Sequence, residues 1–196
     1  MKLRLQQAEA GFTLLEVLSV LIILGILIAV AAPSLIRFQR RVELDDARNT
    51  LASAIRAARG SSAESRTGAN WVAYIDNDPT YGQPVVRVQP ATDVVTGALQ
   101  TDVSPPQEYL LGENIQIIQN AFTNFNTSPV AICPEPGQCA VFDSRGEARA
   151  PTTPDRIGQF VFGTVVLSAR GLQNDCRYIT VSTALGAVRS WSDDCP

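Results

Sequence analysis

The stretch Gly11-Phe12-Thr13-Leu14-Leu15-Glu16-Val17-Leu18 opens an apolar run that continues to Ala32, and its reading decides the fold. Between Phe12 and Ala32 stand fourteen Leu, Ile, Val or Phe residues and a single charge, Glu16. As a helix this segment would span roughly 30 Å, the thickness of a bilayer's hydrocarbon core. Fourteen side chains at roughly −0.3 to −0.6 kcal/mol each outweigh one carboxylate costing at most about 3 kcal/mol, so insertion is still favoured. Tolerance does not explain the carboxylate. Either Glu16 snorkels to the headgroups from near the helix end, or it meets a positive partner inside an assembly.

A short leader carrying Lys2 and Arg4, a Gly-Phe junction, a glutamate and a long apolar helix follow one another in this order. Together they resemble the N-terminal signature of type IV pilins and of the pseudopilins of type II secretion. The resemblance implies that a prepilin peptidase cuts after Gly11 and methylates the new N-terminus, Phe12. It implies that Glu16 pairs with the N-terminal amine of a neighbouring subunit, and that other pilins or pseudopilins are the partners. It also implies a single pass through the inner membrane with a periplasmic C-terminal domain before assembly, and a place in the pilus or pseudopilus afterwards. Lys2 and Arg4 favour a cytoplasmic N-terminus, although Arg37, Arg40 and Arg41 beyond the span weaken that argument. A conventional secretory signal ending in Ile28-Ala29-Val30-Ala31-Ala32 leaves the Gly-Phe junction and Glu16 without a reason.

Composition bounds the rest. With 196 residues, a leader of residues 1–11, a span over 12–32 and an amphipathic helix over 33–66, one globular β domain remains at 67–196. The fold class is therefore α+β: a long N-terminal helix, transmembrane then amphipathic, packed on a small antiparallel sheet domain. The formal net charge of −3, more acidic still without the leader, disfavours general nucleic-acid binding. There is no histidine, and Lys2 is the only lysine. No catalytic constellation, phosphate loop or zinc spacing is legible, so neither an enzyme nor a cofactor nor a resident metal is expected. Asp76-Asn77-Asp78 offers oxygens to calcium but reads more simply as a turn.

Four cysteines, Cys133, Cys139, Cys176 and Cys195, lie in the C-terminal third. An even number in an exported domain points to two disulfides. Three pairings are possible; Pro134, Pro136 and Gly137 make a tight turn that favours Cys133 with Cys139, and hence Cys176 with Cys195.

Pro33 removes one helical hydrogen bond and Gly25 weakens the helix from within. Either Pro33 simply bends the chain at the membrane surface or, as the pilin resemblance implies, Gly25–Pro33 is a stretch that loosens when subunits pack. Beyond it, Leu44, Ala47, Leu51, Ile55 and Ala58 recur at helical spacing and predict a buried stripe, with the helix fraying near Gly60 or running on to Arg66. Arg37, Arg40 and Arg41 are expected to meet Glu43, Asp45 or Asp46 of neighbours. Strands are predicted at 71–75, 85–89, 114–118, 140–143, 160–167, 178–182 and 187–191, with 91–109 as a polar surface loop.

A second set of motifs, Val141-Phe142-Asp143-Ser144-Arg145-Gly146 and Arg177-Tyr178-Ile179-Thr180-Val181-Ser182 before Gly186-Ala187-Val188-Arg189, resembles the block order of the GspH/FimT pseudopilin family. This implies a helix on two small antiparallel sheets. Some FimT-like pilins hold DNA with a Gly-Arg-x-Arg motif, and Ala187 replaces one of those arginines here. Arg177 and Arg189, with Arg170, Tyr178 and Trp191, are the candidate DNA surface, although solvated strand arginines are the preferred reading. Mass spectrometry of the mature chain should find an N-methylated Phe12 at its start; a chain beginning after Ala32 would contradict the leader assignment.

Overall fold

The computed structural model describes residues 13–65, 69–76, 80–91, 105–123, 139–149, 162–172, 174–181 and 187–196. The chain divides into two units, Met1–Phe38 and Gln39–Pro196, and helix α1 (Leu14–Glu64) contributes to both. In the first unit α1 is built from unbranched and branched aliphatic residues. It begins at Thr13, whose hydroxyl and carbonyl both accept from the Glu16 N–H, at 3.3 and 3.1 Å, in the manner of an N-cap. The helix runs through Gly25 and Pro33 without a break.

In the second unit the helix is amphipathic, and its stripe is the one the spacing predicts. Leu44, Ala47, Leu51, Ile55 and Ala58 are all buried, joined by Ala54. The helix continues through Gly60 to Glu64, so of the two expected ends it takes the later one. Alanine at three of these positions brings the helix backbone close to its neighbours, while Leu44, Leu51 and Ile55 fill the space between.

Among the described residues nine strands follow: β1 (Asn70–Asp76), β2 (Val85–Ala91), β3 (Gln107–Leu110), β4 (Ile115–Thr123), β5 (Cys139–Phe142), β6 (Ala148–Arg149), β7 (Phe162–Ala169), β8 (Cys176–Val181) and β9 (Val188–Asp193). Among the described residues they form a five-stranded sheet, β3-β2-β1-β5-β6, and a four-stranded sheet, β4-β7-β8-β9. Every pairing is antiparallel. Two elements depart from the sequence expectation. The stretch expected to be loop at 91–109 ends in β3, whose polar residues gain order by pairing with β2, Glu108 facing Arg87. The two-residue β6 has too little sequence to carry a periodicity.

Strand alternation places one face of each sheet against the helix. Ala73, Ile75, Val86, Val88 and Phe142 from the first sheet, and Val165, Leu167, Ile179 and Val181 from the second, join the helical stripe in one core. The opposite face of the first sheet holds a smaller buried cluster of Val72, Tyr74, Ala91 and Val141.

The Asp143–Glu147 turn after β5 explains why its motif has the residues it has. The Asp143 Oδ1 accepts the N–H groups of Arg145 and Glu147 at 2.9 and 3.0 Å, closing the turn. Gly146 has φ of 72°, a backbone conformation that strains any side chain, and an added Cβ would make ordinary contact with the Arg59 Cγ at 3.4 Å and the Ala63 Cβ at 3.5 Å. Arg59 Nε donates to the Gly146 carbonyl at 3.2 Å, and the fully buried Ser62 hydroxyl is placed against the carbonyls of Phe142 and Asp143. The turn is thereby fastened to the last turns of α1.

Cys176 and Cys195 form a disulfide across 19 residues, tying the C-terminus to the start of β8. A loop of that length restricts the unfolded chain by about 3 kcal/mol. Cys133 lies outside the described residues, and Cys139 is the first residue of β5.

Two glycine substitutions should move stability in opposite directions. Gly146→Ala should cost about 1–2 kcal/mol, because a Cβ is strained at its positive φ. Gly60→Ala should add about 0.5–1 kcal/mol, since it sits in helix with nothing within 4 Å of the added methyl. Urea unfolding of the detergent-solubilised chain measures both.

Candidate assembly helix and sheet surfaces

In the first unit every large apolar residue from Leu14 to Phe38 is between 49 and 88 % exposed. An apolar surface that extensive has no stable arrangement in water, and its nineteen residues from Leu14 to Ala32 would extend about 28 Å. Glu16 lies in the first turn, within the Thr13-x-x-Glu16 spacing of a capping box. A carboxylate there is favoured by the positive end of the helix dipole. Ser19 and Ser34 return their hydroxyls to the carbonyls of Glu16 and Ala31, at 2.8 and 2.7 Å, which keeps these polar groups satisfied without water. The proposed cleavage residues, Gly11 and Phe12, lie outside the described residues.

In the second unit the arginines expected to meet neighbours find partners in their own chain. Arg40 pairs with Glu43 at 3.1 Å, and Glu43 also accepts from the Asn114 side chain at 3.1 Å. Arg41 Nε reaches Asp175 Oδ2 at 3.1 Å, and Arg177 Nε reaches Asp45 Oδ1 at 2.7 Å. Asp175 Oδ1 also pairs with Arg177. The result is a run of alternating charge, Arg41, Asp175, Arg177, Asp45, with Arg48 at 3.7 Å from Asp45 beyond it. Two residues one helical turn apart on α1 are gripped by two residues flanking Cys176.

Arg177 is the buried member, its side chain only 8 % exposed. Hydrogen bonding to Asp45 raises its pKa above the ordinary arginine value, outweighing the opposing effect of burial. The same bond holds the Asp45 carboxyl below its usual range, against a smaller desolvation effect.

The register separates the two candidate DNA-binding arginines. Leu167 and Ser192 flank Arg177, and Arg189 lies opposite Thr180. Positions 177 and 180 on one strand face opposite ways, so Arg177 points to the helix side and Arg189 to the far side. Arg189 shares that far face with Tyr178 and Trp191, whose rings stack at 5.5 Å with planes 5° apart. The Tyr178 hydroxyl donates to the Asp194 carbonyl at 2.7 Å. Arg170 stands in the turn after β7. The single basic-aromatic surface expected from these residues is therefore reduced to Arg189 beside two aromatic rings. Gly186 lies outside the described residues. Asp76 of the calcium-like turn is paired with Arg87, which also binds Glu108 at 3.0 Å; residues 77–79 are outside the described set.

Residues 6–32 match the family profile of the prokaryotic N-terminal methylation motif. The N-terminus therefore carries the N-methylation motif of prepilins. This match covers the second half of the leader, the Gly-Phe junction, Glu16 and the apolar run to Ala32, and leaves Lys2 and Arg4 outside it. No curated protein sequence matches the chain. Among solved structures, the type IV minor pilin FimU of Pseudomonas aeruginosa aligns over 78 % of this chain and 90 % of its own, with 16 % identity and a TM-score of 0.47.

The Arg177 cluster escapes sequence reasoning because Arg177 and Asp45 are 132 residues apart; the one local signal is the Arg41/Asp45 pair at helical spacing. Arg177→Ala should destabilise the chain by on the order of 2 kcal/mol. Arg189→Ala should change stability by less than about 0.5 kcal/mol. The depressed Asp45 pKa contributes stability above the unfolded carboxyl pKa that is lost as pH falls through the native value. Stability should therefore fall below about pH 4, and Asp45→Asn should remove part of that slope. Denaturation at several pH values measures both effects.

Proposed function

We propose that this chain is a minor pilin or pseudopilin subunit of a type IV pilus or a type II secretion pseudopilus. Prepilin peptidase cuts it between Gly11 and Phe12 and methylates the new amine. The subunit then waits in the inner membrane, with its sheet unit in the periplasm, until its helix packs among those of other subunits. Its work is packing rather than chemistry. The observation that supports this reading is the exposed apolar helix with a lone carboxylate in its first turn.

The proposed mechanism follows from the energetics of that carboxylate. In lipid Glu16 is costly, and the methylated amine of a neighbour supplies the opposite charge in a medium that screens little. A subunit whose amine is still blocked by the leader offers no such charge, so cleavage precedes assembly. Gly25 and Pro33 would give the helix local freedom to fit its neighbours. The alternative, a pilus-tip module engaging DNA or an exported substrate through its sheet, loses Arg177 to Asp45 and Asp175 and is left with Arg189.

Glu16→Ala should leave membrane insertion intact while reducing incorporation into filaments by about tenfold or more. Fractionation, followed by co-purification with partner pilins, separates the two steps. Unchanged incorporation would leave snorkelling as the role of Glu16.

A further inference from the structure

We propose that the Cys176–Cys195 disulfide is a redox-sensitive lock on the ionic clasp between β8 and the Arg40–Arg48 segment of α1. Cys176 sits between Asp175 and Arg177, the two residues that hold Arg41 and Asp45. Arg177 is buried by strands on both sides, Leu167 of β7 and Ser192 of β9 standing opposite it. β7 is a core strand, with Val165 and Leu167 fully buried. β9 is different: all its side chains but that of Val188 are exposed. Besides its ladder with β8 and the packing of Val188 at its start against the main core, it is held by the Tyr178–Trp191 stack, by the Tyr178 bond to the Asp194 carbonyl, and by the disulfide two residues beyond its end.

Opening the disulfide takes two electrons and two protons from a dithiol reductant, which becomes a cyclic disulfide while Cys176 and Cys195 become thiols. The weakly buried β9 then frays, and β8 becomes the edge of the sheet. Water reaches the Arg177 guanidinium, the buried side of its pairs with the partly exposed Asp45 and Asp175, and the pairs become more fully screened, where ion pairs hold little. Arg41 and Asp45 are released together, because both are held by residues adjoining Cys176. Leu44 and Ala47 share the main core with Leu51, Ile55 and Ala58, but only the later part of the helix is also fastened by Arg59 and Ser62 to the Asp143–Glu147 turn, so the loosening is confined to the segment whose polar contacts are released.

Hydrogen–deuterium exchange on the full chain in detergent micelles tests the proposal, comparing the native protein with the Cys176→Ser/Cys195→Ser double variant. Exchange should rise about tenfold in β9 and also at Leu44–Arg48, with Ile55–Ser62 unchanged. Faster exchange in β9 alone would overturn the proposal. Arg177→Gln, with the disulfide intact, should reproduce the helical effect without loosening β9. Unchanged exchange at Leu44–Arg48 in that variant would overturn it equally, even if the double variant does not fold. Neither measurement depends on filament assembly, so the outcome is separate from that of the Glu16 experiment.

Discussion

The second unit depends on one constraint: a single helical stripe must be buried by two separate sheets. Leu44, Leu51 and Ile55 alternate with alanines, so the helix both fills space and allows close approach. Neither sheet alone would cover that stripe, and neither could bury its own inner face without the helix. Helix and sheets therefore bury one common core together.

Polar contacts then decide how the helix sits on this core. Apolar packing has little preference for one position along a stripe, because it is not directional. Directional contacts act at both ends of the packed segment. Near its start, Glu43 holds Asn114, and Arg41 and Asp45 hold Asp175 and Arg177. Near its end, Arg59 and Ser62 hold the Asp143–Glu147 turn. Burial supplies the driving force; these contacts choose the register. The first unit has the opposite character: its apolar residues face outward, and the hydroxyls of Ser19 and Ser34 return to their own backbone, as a medium without water requires.

Much of this architecture is legible in the amino-acid sequence. The apolar run, the prepilin-like junction, the buried stripe and seven of the strands are local patterns, and hydrophobic period reports them directly. The Cys176–Cys195 pairing, favoured by the tight turn between the other two cysteines, is present. Expectation and structure part where local pattern is weakest. β3 is a four-residue polar strand after two prolines, ordered by pairing with β2 rather than by its own propensity. Arg177 reads as a surface arginine because an alternating strand gives each residue a face without saying what covers it.

By itself, the sequence determined where the helix is apolar all round, where it is amphipathic, and which residues face the core, because these are properties of neighbours within a few positions. Only the tertiary structure decided which sheet each strand joins and which acids each arginine meets. Arg177 and Asp45 are 132 residues apart in sequence and 2.7 Å apart in space. Hydrophobic periodicity specifies a face; a charge's partner is chosen by the path of the chain between the two residues, and no local pattern encodes that path.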